Sequence, residues 1–185
     1  MYGMVNAAIE QMVTERFGAA RWQSVKARAG IDDPMFLSMK QYPDAVTESL
    51  AVAVAEELSM PLPEVLRAFG VFWVEYARRG PYGRLMLASG TCTYELLAAL
   101  DAMHARIGLG FPELRPPSFR VEPHDGEVLV EYRSERRGLA PFVVGLLEGV
   151  GNLFDERVEV TQVASKDAGA PHDRFLVRAS RRTGP

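Results

Sequence analysis

With 185 residues, 48% hydrophobic and 24% charged, and a net charge of −3 at pH 7, the chain has the apolar material for one sizeable core and no charge bias toward nucleic acid. Its apolar runs, such as Phe142-Val143-Val144, fall far short of the roughly 20 residues a bilayer crossing needs, and no positively charged leader opens it, so a cytoplasmic protein without membrane attachment is expected. A lone cysteine, Cys92, excludes an internal disulfide and a multi-cysteine zinc site built from a single chain.

In chain order, Val5, Ala8, Ile9, Met12 and Val13 recur at helical spacing and predict a helix ending at Phe17-Gly18. A second helix is expected from Arg21 to Ala29, closed by Gly30, and a third from Thr47 to Leu58. Pro63 suits the first turn of a fourth, Glu64 to Arg79, whose centre carries Phe69, Phe72, Trp73 and Tyr76. A short helical piece around Arg84 to Ala88 precedes another helix that ends near His104, with Thr91 or Thr93 as its cap. From Ile107 to Ser118 the glycines and prolines, among them Pro112, forbid regular structure. Then Phe119 to Glu122 and Val128 to Glu135 read as strands joined across Asp125-Gly126. Pro141 opens a helix through Phe154, and Arg157 to Ala164 and Arg174 to Ala179 read as two more strands before a frayed tail from Ser180. The fold class is α+β, helices first and then a small antiparallel sheet of about four strands.

Two places carry chemistry. Leu97, Leu100 and His104 fall on one helix face, which brings an imidazole among apolar side chains. Alone, this reads more readily as a core histidine bonded to a carbonyl than as a metal ligand. Further on, Tyr132, Ser134 and Arg136 alternate with the strand period, so they share a face as a ladder of donors about 13 Å long. Such a ladder suits a ligand with two carboxylates, Arg136 offering the charge-assisted fork and the hydroxyls fixing orientation; alone, it reads far more readily as an ordinary polar strand edge.

Taken together, Met1-Tyr2-Gly3-Met4-Val5-Asn6, Leu100-Asp101-Ala102-Met103-His104, Arg115-Pro116-Pro117-Ser118-Phe119 and Tyr132-x-Ser134-x-Arg136 followed by Gly138-Leu139-Ala140-Pro141 resemble the H-NOX family of heme nitric oxide/oxygen-binding domains, which includes the heme domain of soluble guanylate cyclase. The resemblance spans nearly the whole chain and implies one domain over 1–185, with a distal helical lobe to about residue 63, a proximal α+β lobe from about 64 to 180, and heme b buried between them. It implies that His104 is the axial ligand of the iron, that Tyr132, Ser134 and Arg136 bind the heme propionates, and that Pro117 presses on the porphyrin and distorts it. Leu100 and Met103 would lie against the cofactor, and Val5, Ile9, Trp73, Val74, Phe142 and Leu146 would line the distal side. Oxygen-binding relatives carry a tyrosine where Phe142 stands here, so the resemblance implies a sensor of nitric oxide, binding carbon monoxide too, that is not an enzyme and signals to a separate effector such as a histidine kinase or a cyclic-di-GMP enzyme. The alternatives are an oxygen-binding heme sensor and a peroxidase-type heme enzyme, the latter disfavoured because the N-terminal helices contain no histidine to pair with an arginine.

Overall fold

A computed structural model describes residues 1–33, 35–111 and 113–182. Pro34, Pro112 and residues 183–185, which the sequence places in a turn, a loop and the tail, lie outside them. The chain divides into two compact units, Met1–Phe69 and Gly70–Pro185.

The first unit is helical. Helices α1 (Gly3–Phe17), α2 (Ala19–Ala29) and α3 (Asp44–Leu58) pack on one another, and α4 (Leu62–Arg79) begins here. Their apolar stripes, Ala8, Ile9, Met12 and Val13 with Trp22, Val25, Leu50 and Val54, are almost fully buried, as the sequence periodicity requires. Inside, Thr47 donates to Asn6 Oδ1 at 2.6 Å and ties α3 to α1, while Arg21 and Arg28 both reach Glu57 across the α2–α3 seam. Helix α3 starts three residues before the expected Thr47, since Asp44 brings a carboxylate to the first turn, where the helix dipole favours it.

The second unit holds the rest of α4, then α5 (Gly83–Ala88), α6 (Thr93–Gly108), β1 (Ser118–His124), β2 (Glu127–Arg133), α7 (Ala140–Leu153), β3 (Glu156–Ala164) and β4 (Asp173–Arg181). The strands form one antiparallel sheet in the order β1-β2-β4-β3. Asp125 and Gly126 both take positive φ, 44° and 82°, as a tight turn twisted to match its strands demands, so β1 and β2 run further into the hairpin than expected. The far strands are longer as well. Ser180 and Arg181, read as fraying, pair with Arg157 and Glu156. On the inner face Val130, Phe175 and Val177 are fully buried against Leu96, Leu97 and Leu100 of α6 and Val143, Leu147 and Val150 of α7.

Two local devices set these helices. Neither Thr91 nor Thr93 caps α6 with its side chain; the N-cap is Cys92, Glu95 accepts from Thr91 N–H at 2.7 Å, and Glu156 of β3 accepts from Thr93 N–H at 2.9 Å. The cap is tertiary. Helix α4 meets α7 at Gly70, where an added Cβ would lie 2.1 Å from the Phe142 carbonyl oxygen and 2.6 Å from Leu146 N, so only glycine admits this approach.

Candidate functional site

His104 stands near the end of α6, one turn beyond the buried Leu100, with Met103 beside it in the core. The imidazole is half-buried, less deeply set than the sequence suggested, since Ala102 and Ala105 on either side of the Met103–His104 pair are exposed. Burial still pushes its pKa below the usual imidazole value; the Asp101 carboxylate and the backbone of Pro117 pull the other way. Proline has no N–H, so Pro117 faces the ring with its carbonyl. Nδ1 is buried and, among the described residues, has no hydrogen-bond partner. A buried imidazole whose charge is disfavoured and whose nitrogen finds no protein partner fits an iron tether.

Asp101, one turn before His104, fixes the two residues that follow Pro117. Its Oδ2 accepts from the Ser118 hydroxyl at 2.7 Å and its Oδ1 from Phe119 N–H at 2.8 Å, which locks the start of β1 to α6. From His104 a row of rings then leads across the sheet: Phe119 lies 6.2 Å from the imidazole and 5.3 Å from Tyr132, centroid to centroid. Asp101 and Phe119 were not singled out by sequence reasoning as site residues. An aspartate three positions before a histidine faces the same side of a helix, but nothing local says that a strand seventeen residues on will bond to it.

The donor ladder is corrected by the structure. β2 ends at Arg133, so only Tyr132 belongs to the strand; Ser134 and Arg136 lie in an irregular segment after it. The last partners are Ser118 for Arg133 and Asp173 for Tyr132, and upstream of Ser118 stand Pro116 and Pro117, which have no N–H to continue a ladder. The chain then turns, Arg136 N–H donating to Ser134 Oγ at 3.1 Å. The turn still gathers the three residues: Tyr132 is 4% exposed, Ser134 hydrogen-bonds its phenol, and the Arg136 charge is felt there. Burial, the largest influence, raises the Tyr132 pKa, with Asp173 adding to it and Ser134 and Arg136 opposing. The result is a neutral phenol, a hydroxyl and a guanidinium in one place, which is a set of donors fit for carboxylates.

Of the remaining positions, Leu100 and Met103 are buried in the core of the second unit, together with Val74, whose side chain abuts Gly149 of α7. Phe142 and Leu146, on α7, are half-buried at its edge. The Trp73 ring stacks on Tyr76 at 5.9 Å. In the first unit Ile9 is buried and Val5 half-buried on α1. His124 is exposed at the end of β1, and His172 is half-buried. Among the described residues no cluster of three His, Cys, Asp or Glu side chains could hold a metal ion, and no helix is long and apolar enough to cross a membrane.

Residues 2–162 match the family model described as Haem-NO-binding. Among curated relatives, soluble guanylate cyclase gcy-31 of Caenorhabditis elegans is 26% identical over 163 residues, 86% of this chain and 23% of the relative. Guanylate cyclase soluble subunit beta-2 of Rattus norvegicus is 34% identical over 120 residues, 61% of this chain and 18% of the relative. The chain thus spans about a quarter or less of the length of these relatives. Among solved structures, an H-NOX protein from S. oneidensis in the Fe(II)NO state superposes with a TM-score of 0.87 at 23% identity, covering 98% of this chain and all of that one. The unliganded Fe(II) H-NOX protein from K. algicida gives 0.84 at 17% identity over the whole of both chains. At these identities the likeness establishes the fold, α+β with a four-stranded antiparallel sheet.

Proposed function

The chain belongs to the haem-NO-binding family, whose cofactor is heme b, and on that footing we propose that it is a sensor that binds nitric oxide on ferrous heme held by His104 and signals to a separate effector protein. The observation that carries this reading is the His104 imidazole, its pKa lowered by burial and its Nδ1 without a hydrogen-bond partner among the described residues. Heme bound there would supply an iron able to take a diatomic gas. The protein supplies the rest. His104 would give a moderate neutral donor, Tyr132, Ser134 and Arg136 would give the propionates their partners, and Pro117, whose backbone faces the imidazole just before the residues bonded by Asp101, would press on the porphyrin. Because Asp101 joins α6 to β1, a displacement of His104 reaches the sheet as well as its own helix. An effector of the histidine kinase or cyclic-di-GMP type would read that displacement.

His104→Gly tests the tether. The variant is expected to lose the five-coordinate ferrous spectrum and to regain it when free imidazole fills the space. An unchanged spectrum without imidazole would place the iron ligand elsewhere.

A further inference from the structure

The donors assigned to the heme propionates sit on a stretch with little structure of its own. Ser134 and Arg136 come after the end of β2, where no strand lies opposite the carbonyls of Ser134 and Glu135. The loop between β3 and β4 answers them. The Lys166 ammonium donates to the Ser134 carbonyl and lies 3.5 Å from that of Glu135, and Asp167 Oδ2 accepts from Gly138 N–H at 3.2 Å. Two adjacent residues therefore grip the segment at both ends.

Lys166 is itself seated. Asp173 is only 6% exposed, and its Oδ1 accepts both Lys166 N–H and Gln162 Nε2 at 3.0 Å. Asp173 also stands directly opposite Tyr132 in the β2–β4 register, so one residue closes the ladder and orients the loop that grips residues 134–138. Confining a lysine costs side-chain entropy that a solvated ion pair rarely returns, whereas backbone carbonyls outside any ladder need a donor.

We propose that Lys166, assisted by Asp167, is a positioning residue for carboxylate recognition: by fixing the backbone of 134–138 it presets the Ser134 hydroxyl and the Arg136 guanidinium before the propionates arrive. The inference rests on the propionate reading of these donors. Donors ordered in advance lose less freedom on binding, so the effect falls on cofactor retention and only on charged propionates.

The test is the rate of hemin loss from the heme-loaded protein to excess apomyoglobin, run with hemin and with hemin dimethyl ester, whose propionates carry no charge. Lys166→Met is expected to lose hemin roughly five- to tenfold faster than the wild type, the worth of about one hydrogen bond. Lys166→Arg should stay near the wild-type rate, and with the dimethyl ester wild type and Lys166→Met should match. Asp167→Ala should shift in the same direction as Lys166→Met and serves alone if that variant does not fold. Loss of hemin at the wild-type rate, or equal acceleration with both cofactors, would overturn the proposal. A wild type that releases hemin and its ester equally fast would instead remove the propionate reading, and this inference with it.

Discussion

At the scale of single residues, the three donors proposed for the propionates do different work. Arg136 brings a full positive charge, and a charge-assisted bond contributes about 1.5–3 kcal/mol against roughly 1 for a neutral one. Ser134 has local duties: its oxygen accepts from Arg136 N–H, and it hydrogen-bonds the Tyr132 phenol. Arg136→Ala is therefore expected to speed heme loss more than Ser134→Ala, while Ser134→Ala should also shift the environment of Tyr132. Equal rates of heme loss in the two variants would count against a carboxylate at Arg136. Asp101 illustrates a further point: by taking two donors from the start of β1 it orders the backbone next to His104.

At the scale of elements, the crossing of α4 and α7 depends on a missing side chain. Gly70→Ala would set a Cβ against the backbone of α7 at 2.1 Å, and backbone cannot rotate away as a side chain can. Overpacking of this kind costs about 1–3 kcal/mol, more than the ~1 kcal/mol of helix propensity that alanine returns. A lower urea midpoint is the expected result, and a raised one would show that the helices have room to part. The end of α4 is held differently. Glu75 accepts from Arg78 and Arg79, and the Arg78 hydrogen bond above all, helped by Arg79 against the opposing effect of burial, lowers its carboxyl from 4.5 to about 2. A depressed carboxyl stabilises the fold above its unfolded value and loses that contribution as pH falls through its folded one. The gap in urea midpoint between wild type and Glu75→Gln should accordingly be steady above pH 4.5 and close as pH drops toward 2. Glu75 is about one-third exposed, so the gap is that of a screened surface network, within ~1 kcal/mol.

At the scale of the whole molecule, the proposed preference for nitric oxide turns on which of the residues named for the distal side carry a donor. Bound oxygen carries negative charge on its outer atom and is retained where a hydroxyl or N–H can donate to it, whereas nitric oxide needs little such help. Val5 and Ile9 in one unit, and Val74, Phe142 and Leu146 in the other, are hydrocarbon. Trp73 has an N–H, but its ring lies stacked on Tyr76 as an ordinary packed aromatic. Reduced protein exposed to air is expected to show no long-lived oxygen complex, and Phe142→Tyr to introduce or strengthen one. A persistent oxygen spectrum in the wild type would reverse the preference.

Every helix and strand could be read in the sequence because each announces itself locally: period 3.6 in Ala8, Ile9, Met12 and Val13, period two in Val128, Val130 and Tyr132, and Asp125-Gly126 between strands. Family membership was legible for a related reason, since short motifs in a fixed order survive as a linear pattern. What sequence could not provide was any feature made by two distant segments. The end of β2 at Arg133 depends on prolines and an aspartate that come to lie beside it, the cap of α6 on Glu156, the start of β1 on Asp101, and the support of Ser134 on Lys166. In each case the partner is chosen by which backbone N–H or carbonyl the tertiary arrangement leaves unpaired, and that is settled only once the sheet and helices have closed around one another.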